Sequence, residues 1–202
     1  FKASMTAAEK RALAERYKFQ LGYLRMLGER INGGAPSLIG ECGIPYDIND
    51  GDSYARWAAG ERDEAIWEPQ VAALTAMYEV LDALLLSSTQ WNYTASNRHD
   101  LRIGDGWNQE DLSIFSRDQQ AADNDGGRAV AGFCRPYVQR AQGAIKSMGY
   151  ERESGRFTAL IEADPAIAAP TEIFLPQGYA GEPEIAHGAN WSWDAARKLL
   201  SV

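Results

Sequence analysis

The sequence of 202 residues has only two cysteines, Cys42 and Cys134, so it can form at most one disulfide. Nor does it contain the Cys-x-x-Cys pair that would prepare a metal site. It has no run of Lys and Arg, and 20 basic residues against 28 acidic ones leave a net charge of -8 and a pI near 4.8. That balance provides no patch to meet a phosphate backbone, which argues against nucleic acid as a partner. No apolar run approaches the roughly 20 residues needed to cross a bilayer, so no transmembrane segment is expected. A soluble protein is read, with the compartment, intracellular or secreted, left open. No internal repeat of roughly 20 to 50 residues marks a solenoid or propeller. No cofactor motif is present, and neither a cofactor nor a metal is expected.

What is present suits a globular protein. Hydrophobic residues make up 45% of the chain and charged ones 24%, enough to build a sizeable core. Thr6-Ala-Ala-Glu9 has capping-box spacing, and apolar residues recur at Leu13, Tyr17, Leu21, Leu24 and Leu27. A helix is therefore expected until Asn32-Gly33-Gly34 and Pro36 stop it. A strand follows at about 37–44, then a helix opening at Trp67-Glu68-Pro69 with Val71, Leu74, Met77, Tyr78 and Leu81 at helical spacing. The run LLLSSTQWNY, 84–93, reads as a second strand. Residues 94–125 read as a long, ordered loop, and a third helix is expected near 126–142. From Gly143 the texture changes to short β-type runs such as FTALIEA and TEIFLP, separated by Pro, Gly and Asp.

Strands separated by helices lie parallel in one sheet, and buried parallel strands need neighbours on both edges. Two such strands cannot supply a closed core. The expected fold class is therefore α/β: residues 1–142 as the C-terminal portion of a (β/α)8 TIM barrel, and 143–202 as part of an all-β sandwich domain. In such a barrel the chemistry sits at the C-terminal ends of the strands. Glu41, in LIGECGIPYDIND, stands at such an end. By itself it is either a strand-terminal carboxylate bonded to a neighbouring amide or Arg, or a catalytic group. Trp91, at the end of the second strand, is either core or a flat surface for the apolar face of a sugar ring.

Five motifs in order narrow these alternatives: IGECGIPYDI, WNYTASN, GDGWNQEDLSIF, GGRAVAGFCRPY and PTEIFLP. Together they resemble glycoside hydrolase family 5, in the branch of endoglycoceramidases, steryl-β-glucosidases and glucocerebrosidase-like enzymes. The resemblance runs from about residue 37 to the end of the chain. It implies that Glu41 is the catalytic nucleophile and Trp91 the aromatic at the glycone subsite. It further implies that Asn92 hydrogen-bonds near the sugar, and that Trp107, with Asn108, Glu110 and Asp111, shapes the aglycone side or holds its loop. Cys42 departs from the pattern, because an aromatic residue is common there.

The resemblance also implies a retaining β-glycosidase acting on a β-glucoside with a lipid aglycone such as a sterol or ceramide. Retaining enzymes use two carboxyl groups about 5 to 5.5 Å apart. The family carries its acid/base in an Asn-Glu motif, and this chain contains no Asn-Glu dipeptide. The partner acid is therefore expected on an N-terminal half of the same enzyme, as a second chain or as missing sequence, with this chain inactive alone. The rival readings are a β-glucosidase or glucanase of simple glucosides and oligosaccharides, or a non-catalytic carbohydrate-binding fragment. Cys42 paired with His99 or His187 as a thiol nucleophile has no supporting motif, and neither has a cation at His99, Asp100 and Asp105.

Overall fold

The computed structural model describes residues 5–31, 33–100, 110–122, 124–176, 184–185 and 189–202. The chain divides into two compact units, Phe1–Phe133 and Cys134–Val202.

The first unit opens with helix α1, Ala7–Arg30. The capping box forms as its spacing predicts: the Glu9 amide donates to the Thr6 hydroxyl at 3.2 Å, and the Thr6 amide to the Glu9 carboxylate at 2.7 Å. At the other end Gly33 and Gly34 take φ of 83° and 101°, a left-handed backbone that stops the helix. Strand β1, Leu38–Cys42, follows. The polar loop after it contains a helix that the sequence reading passes over, α2, Asp52–Ala58. Its seven residues are too few to display an apolar period. Helix α3, Glu68–Ala83, has Pro69 in its first turn, where the missing N–H costs nothing.

Strand β2, Ser87–Gln90, is shorter than the expected 84–93. Leu84 caps α3, and Leu85 turns the chain at φ 51°, so the leucines close a helix before any strand begins. As expected, β1 and β2 pair in parallel, with Leu38 opposite Ser87 and Cys42 opposite Gln90, and with an irregularity between Ile39 and Cys42. The stretch read as a loop to 125 instead holds β3, Phe115–Ala121, which pairs antiparallel with β4, Asn124–Gly127. The expected helix over 126–142 shrinks to one turn, α4, Val130–Phe133.

The core of this unit lies between α3 and the segment after β1. Tyr46, Ile66, Trp67 and Leu74 are fully buried there. Burying a side chain such as Leu74 contributes about 1.5–3 kcal/mol. No residue of α1 is buried, even though it carries an apolar stripe.

The second unit is all-β among its described residues. Strand β5, Tyr137–Arg140, occupies the end of the expected third helix. Pro136 and the β-branched Val138 favour extended backbone here over helix. Strands β6, Gly143–Glu151, and β7, Arg156–Ala163, form a long antiparallel hairpin, and FTALIEA is a strand as predicted. Strands β8, Glu172–Phe174, β9, Ser192–Asp194, and β10, Leu199–Ser201, join β5 in an antiparallel sheet of order β5-β8-β10-β9. Thr171 and Val202 exchange backbone bonds at 3.0 and 2.9 Å, which ties the last residue beside β8.

Candidate active site

The two residues singled out from the sequence stand at the same end of the parallel pair. Glu41 is the fourth residue of β1, exposed, and Trp91 directly follows β2. The strands stay joined past their regular part, because the Trp91 amide donates to the Cys42 carbonyl at 2.7 Å. The Trp91 carbonyl accepts from the Gln90 side-chain amide at 2.9 Å, and Tyr78 on α3 donates to the Gln90 oxygen at 2.8 Å. Gly43 is needed in this arrangement: a Cβ there would overlap the Trp91 carbonyl oxygen and lie 3.1 Å from the Gln90 amide. The glycine two positions after Glu41 thus lets the two strand ends approach.

Cys42, the departure from the motif pattern, is half-buried beside β2. Its Sγ lies 3.5 Å from the Thr89 carbonyl, and burial pushes its thiol above the ordinary value. A thiol so placed is protonated at neutral pH and packs as a small apolar group.

Asn92 is held between two neighbours. Its amide donates to the Leu112 carbonyl at 3.1 Å, and its carbonyl accepts from Ile114 at 2.9 Å. The peptide between Trp91 and Asn92 is cis. Trp107 and Asn108 fall outside the described residues, as do Asp105 and His187. Glu110 is exposed and Asp111 is buried.

Beneath these loops lies a polar network that the sequence reading misses. Arg128, fully buried, donates two bonds to the Asp111 carboxylate, at 2.8 and 2.6 Å. It donates a third to the Ser113 carbonyl, and Tyr54 donates to the same Asp111 carboxylate. The guanidinium also stacks 4.2 Å from the centre of the Tyr46 ring. Burial alone would lower the Arg128 pKa, but the hydrogen bonds to Asp111 hold it above the ordinary value. Burial also pushes the Tyr46 and Tyr54 phenols well up. The only trace of this network in the sequence is that Asp111 and Arg128 lie in consecutive motifs of the series, GDGWNQEDLSIF and GGRAVAGFCRPY.

His99 packs edge-on against Tyr54, Trp57 and Trp67, with ring centres 5.8, 4.7 and 5.2 Å away. Among the described residues it belongs to no cluster of three or more possible metal ligands.

Residues 135–202 match the glycoside hydrolase family 5 C-terminal domain. The C-terminal unit therefore resembles the C-terminal domain of that family. Over a longer span the chain is 28% identical to a glucosylceramidase of Rhizopus delemar, a match covering 90% of this chain and 28% of that protein. It is also 37% identical to an ergosteryl-beta-glucosidase of Saccharomyces cerevisiae, over 47% of this chain and 11% of that one. Sterylglucosidase 1 of Cryptococcus neoformans superposes with a TM-score of 0.79 at 27% identity, covering 95% of this chain and 30% of that one. Endo-glycoceramidase II from Rhodococcus shares the fold, with a TM-score of 0.56 at 17% identity. The family 5 resemblance read from the five motifs therefore stands. The chain spans about 35% or less of the length of these longer relatives.

Proposed function

We propose that the chain is the C-terminal portion of a family 5 retaining β-glycosidase that cleaves a glycolipid, a β-glucoside with a sterol or ceramide aglycone. Residues 1–142 would complete a (β/α)8 barrel with sequence N-terminal to this chain, and 143–202 would form part of the appended β-sandwich. The observation that carries this reading is the placement of Glu41 and Trp91 at the C-terminal ends of two hydrogen-bonded parallel strands. That is where barrel enzymes assemble their chemistry.

In this reading the Glu41 carboxylate attacks the anomeric carbon while the aglycone oxygen leaves with a proton from an acid on the N-terminal portion. The resulting glycosyl ester is hydrolysed by water, whose proton returns to that same acid, and configuration is retained. Trp91 offers an indole face to the apolar side of the glucosyl ring, and Asn92 a polar group beside it. Trp107, which lies outside the described residues, is assigned to the aglycone side by the family resemblance alone. The lipid aglycone rests on the names of the relatives: one is called a glucosylceramidase, others steryl glucosidases.

Glu41→Gln in the complete protein is expected to lower β-glucoside hydrolysis at least about a thousandfold without altering the fold, since it removes the nucleophile and keeps its shape. An unchanged rate would sink the assignment and favour a non-catalytic carbohydrate-binding role. Turnover compared across steryl glucoside, glucosylceramide and cello-oligosaccharides tests the aglycone. Preference for the oligosaccharides would overturn the lipid reading and leave the glycosidase.

A further inference from the structure

We infer that the buried Asp111–Arg128 pair positions the sugar-facing loop, holding Trp91 and Asn92 in place through the segment Asp111–Ser113. The inference rests on the proposal that Trp91 faces the glucosyl ring.

The geometry runs in one direction. Arg128 grips Asp111 through both carboxylate oxygens and Ser113 through its carbonyl, so the short segment between them is clamped at both ends. That segment carries the loop after β2. The Leu112 carbonyl receives the Asn92 amide, the Ile114 amide reaches the Asn92 carbonyl, and the Ser113 hydroxyl accepts from the Thr94 amide at 2.9 Å. Two further bonds bring in the loop after β1. The Tyr46 amide donates to the Asp111 carbonyl at 2.7 Å, and the Tyr46 hydroxyl donates to the Arg128 carbonyl at 3.1 Å. One ion pair thus braces the chain leaving Glu41 and the chain leaving Trp91.

Stability alone is a poor reason for such a pair. Desolvating two charges offsets most of their attraction, and apolar residues of the same volume often serve as well or better. What apolar residues cannot do is direct hydrogen bonds to particular carbonyls. The forked guanidinium makes two parallel bonds to a carboxylate and has donors left for Ser113 and Tyr54, which lysine cannot match. The pair therefore sets the position of a backbone segment, and that segment sets Asn92 and its neighbour Trp91.

The test uses the complete enzyme with Arg128→Lys, Asp111→Asn and the double variant, assayed on a nitrophenyl β-glucoside and on a steryl glucoside. A loosened glycone platform weakens binding of the sugar whatever its aglycone. The expected result is a KM raised about tenfold on both substrates with kcat changed less than about threefold. The affinity of a glucose-sized competitive inhibitor should fall in parallel. The double variant should be no worse than the poorer single, because the two residues act as one unit. A lowered melting temperature with KM and inhibitor affinity unchanged would overturn the inference, as would a KM change on only one substrate. If the buried variants fail to fold, Ser113→Ala removes the acceptor shared by the Thr94 and Phe115 amides and should raise KM about threefold on both substrates; an unchanged KM again overturns it. A wild-type enzyme without β-glucosidase activity would remove the proposed function and this inference together, whereas an active wild type with unaltered variants would remove the inference alone.

Discussion

His99 shows how a single residue can resist its ordinary chemistry. Its backbone amide donates to Asp118 at 2.9 Å, but neither ring nitrogen has a partner among the described residues. Burial is the main cause of a pKa lowered from 6.5 to about 4, and the nearby Arg128 cation adds to it. Asp118 and Asp111 pull the other way, and Arg62 adds weakly to the lowering. The unfolded chain takes up this proton near pH 6.5, the folded chain only near pH 4. Stability from this residue is therefore complete above pH 6.5 and is lost as pH falls toward 4, by roughly 2 kcal/mol after allowance for partial exposure. In His99→Phe, which keeps the ring contacts, urea unfolding between pH 4 and 6.5 should show a flatter pH dependence than wild type. An equal slope would mean that other groups carry it. Glu41 and Trp91 were legible as candidates because their neighbours form quoted motifs. Arg128 was not, since nothing in GGRAVAGF tells a buried guanidinium from a solvated one.

At the scale of elements, helix α4 is a single turn, too short to be stable by itself, and it persists by packing on α3. A Cβ on Gly132 would sit 2.8 Å from the Leu74 Cβ and 3.1 Å from the Val71 Cα. One obstacle is backbone and the other is the stem of a fully buried side chain, so neither can yield cheaply. Gly132→Ala is expected to destabilise the first unit by about 1–3 kcal/mol, measured by chemical denaturation, and Gly60→Ala makes a useful contrast in strain of another kind. At Gly60 nothing lies within 4 Å, and only its φ of 97° opposes a side chain. The elements that were legible were those with long periods or explicit punctuation: α1 with its capping box, α3 with its proline start, and β7 with its short β-type run set off by turn residues. Elements set by contacts were not. Residues 126–142 carry apolar residues at helical spacing, yet Tyr137–Arg140 pair with β8, where strand hydrogen bonds replace helical ones.

At the scale of the whole molecule, α1 is the anomaly. It has 24 residues and an apolar stripe, but Tyr23 and Leu24 remain 55% and 48% exposed, and Leu38 on β1 is 61% exposed. Parallel strands are stable when covered on both faces and paired on both edges, and β1 and β2 form a sheet of two. If sequence N-terminal to this chain completes the sheet, amides of α1 and β1 should exchange with deuterium at least about tenfold more slowly in the complete protein than in these 202 residues alone. Leu24→Glu should then destabilise the complete protein and leave the shorter chain nearly unchanged; equal exchange in both would mean that α1 is a solvent-exposed helix by design. The sequence by itself determined the order α1, β1, α3 and β2 in the first unit, the β character of the second, and the resemblance to glycoside hydrolase family 5, because periodicity, caps and motifs are local properties that need no partner. Only the tertiary structure decided that Gly43 admits the Trp91 carbonyl, and that Asp111 and Arg128, 17 positions apart, meet beneath the loops that follow Glu41 and Trp91. Close approach and burial depend on what the rest of the chain brings alongside, and no local pattern carries that information.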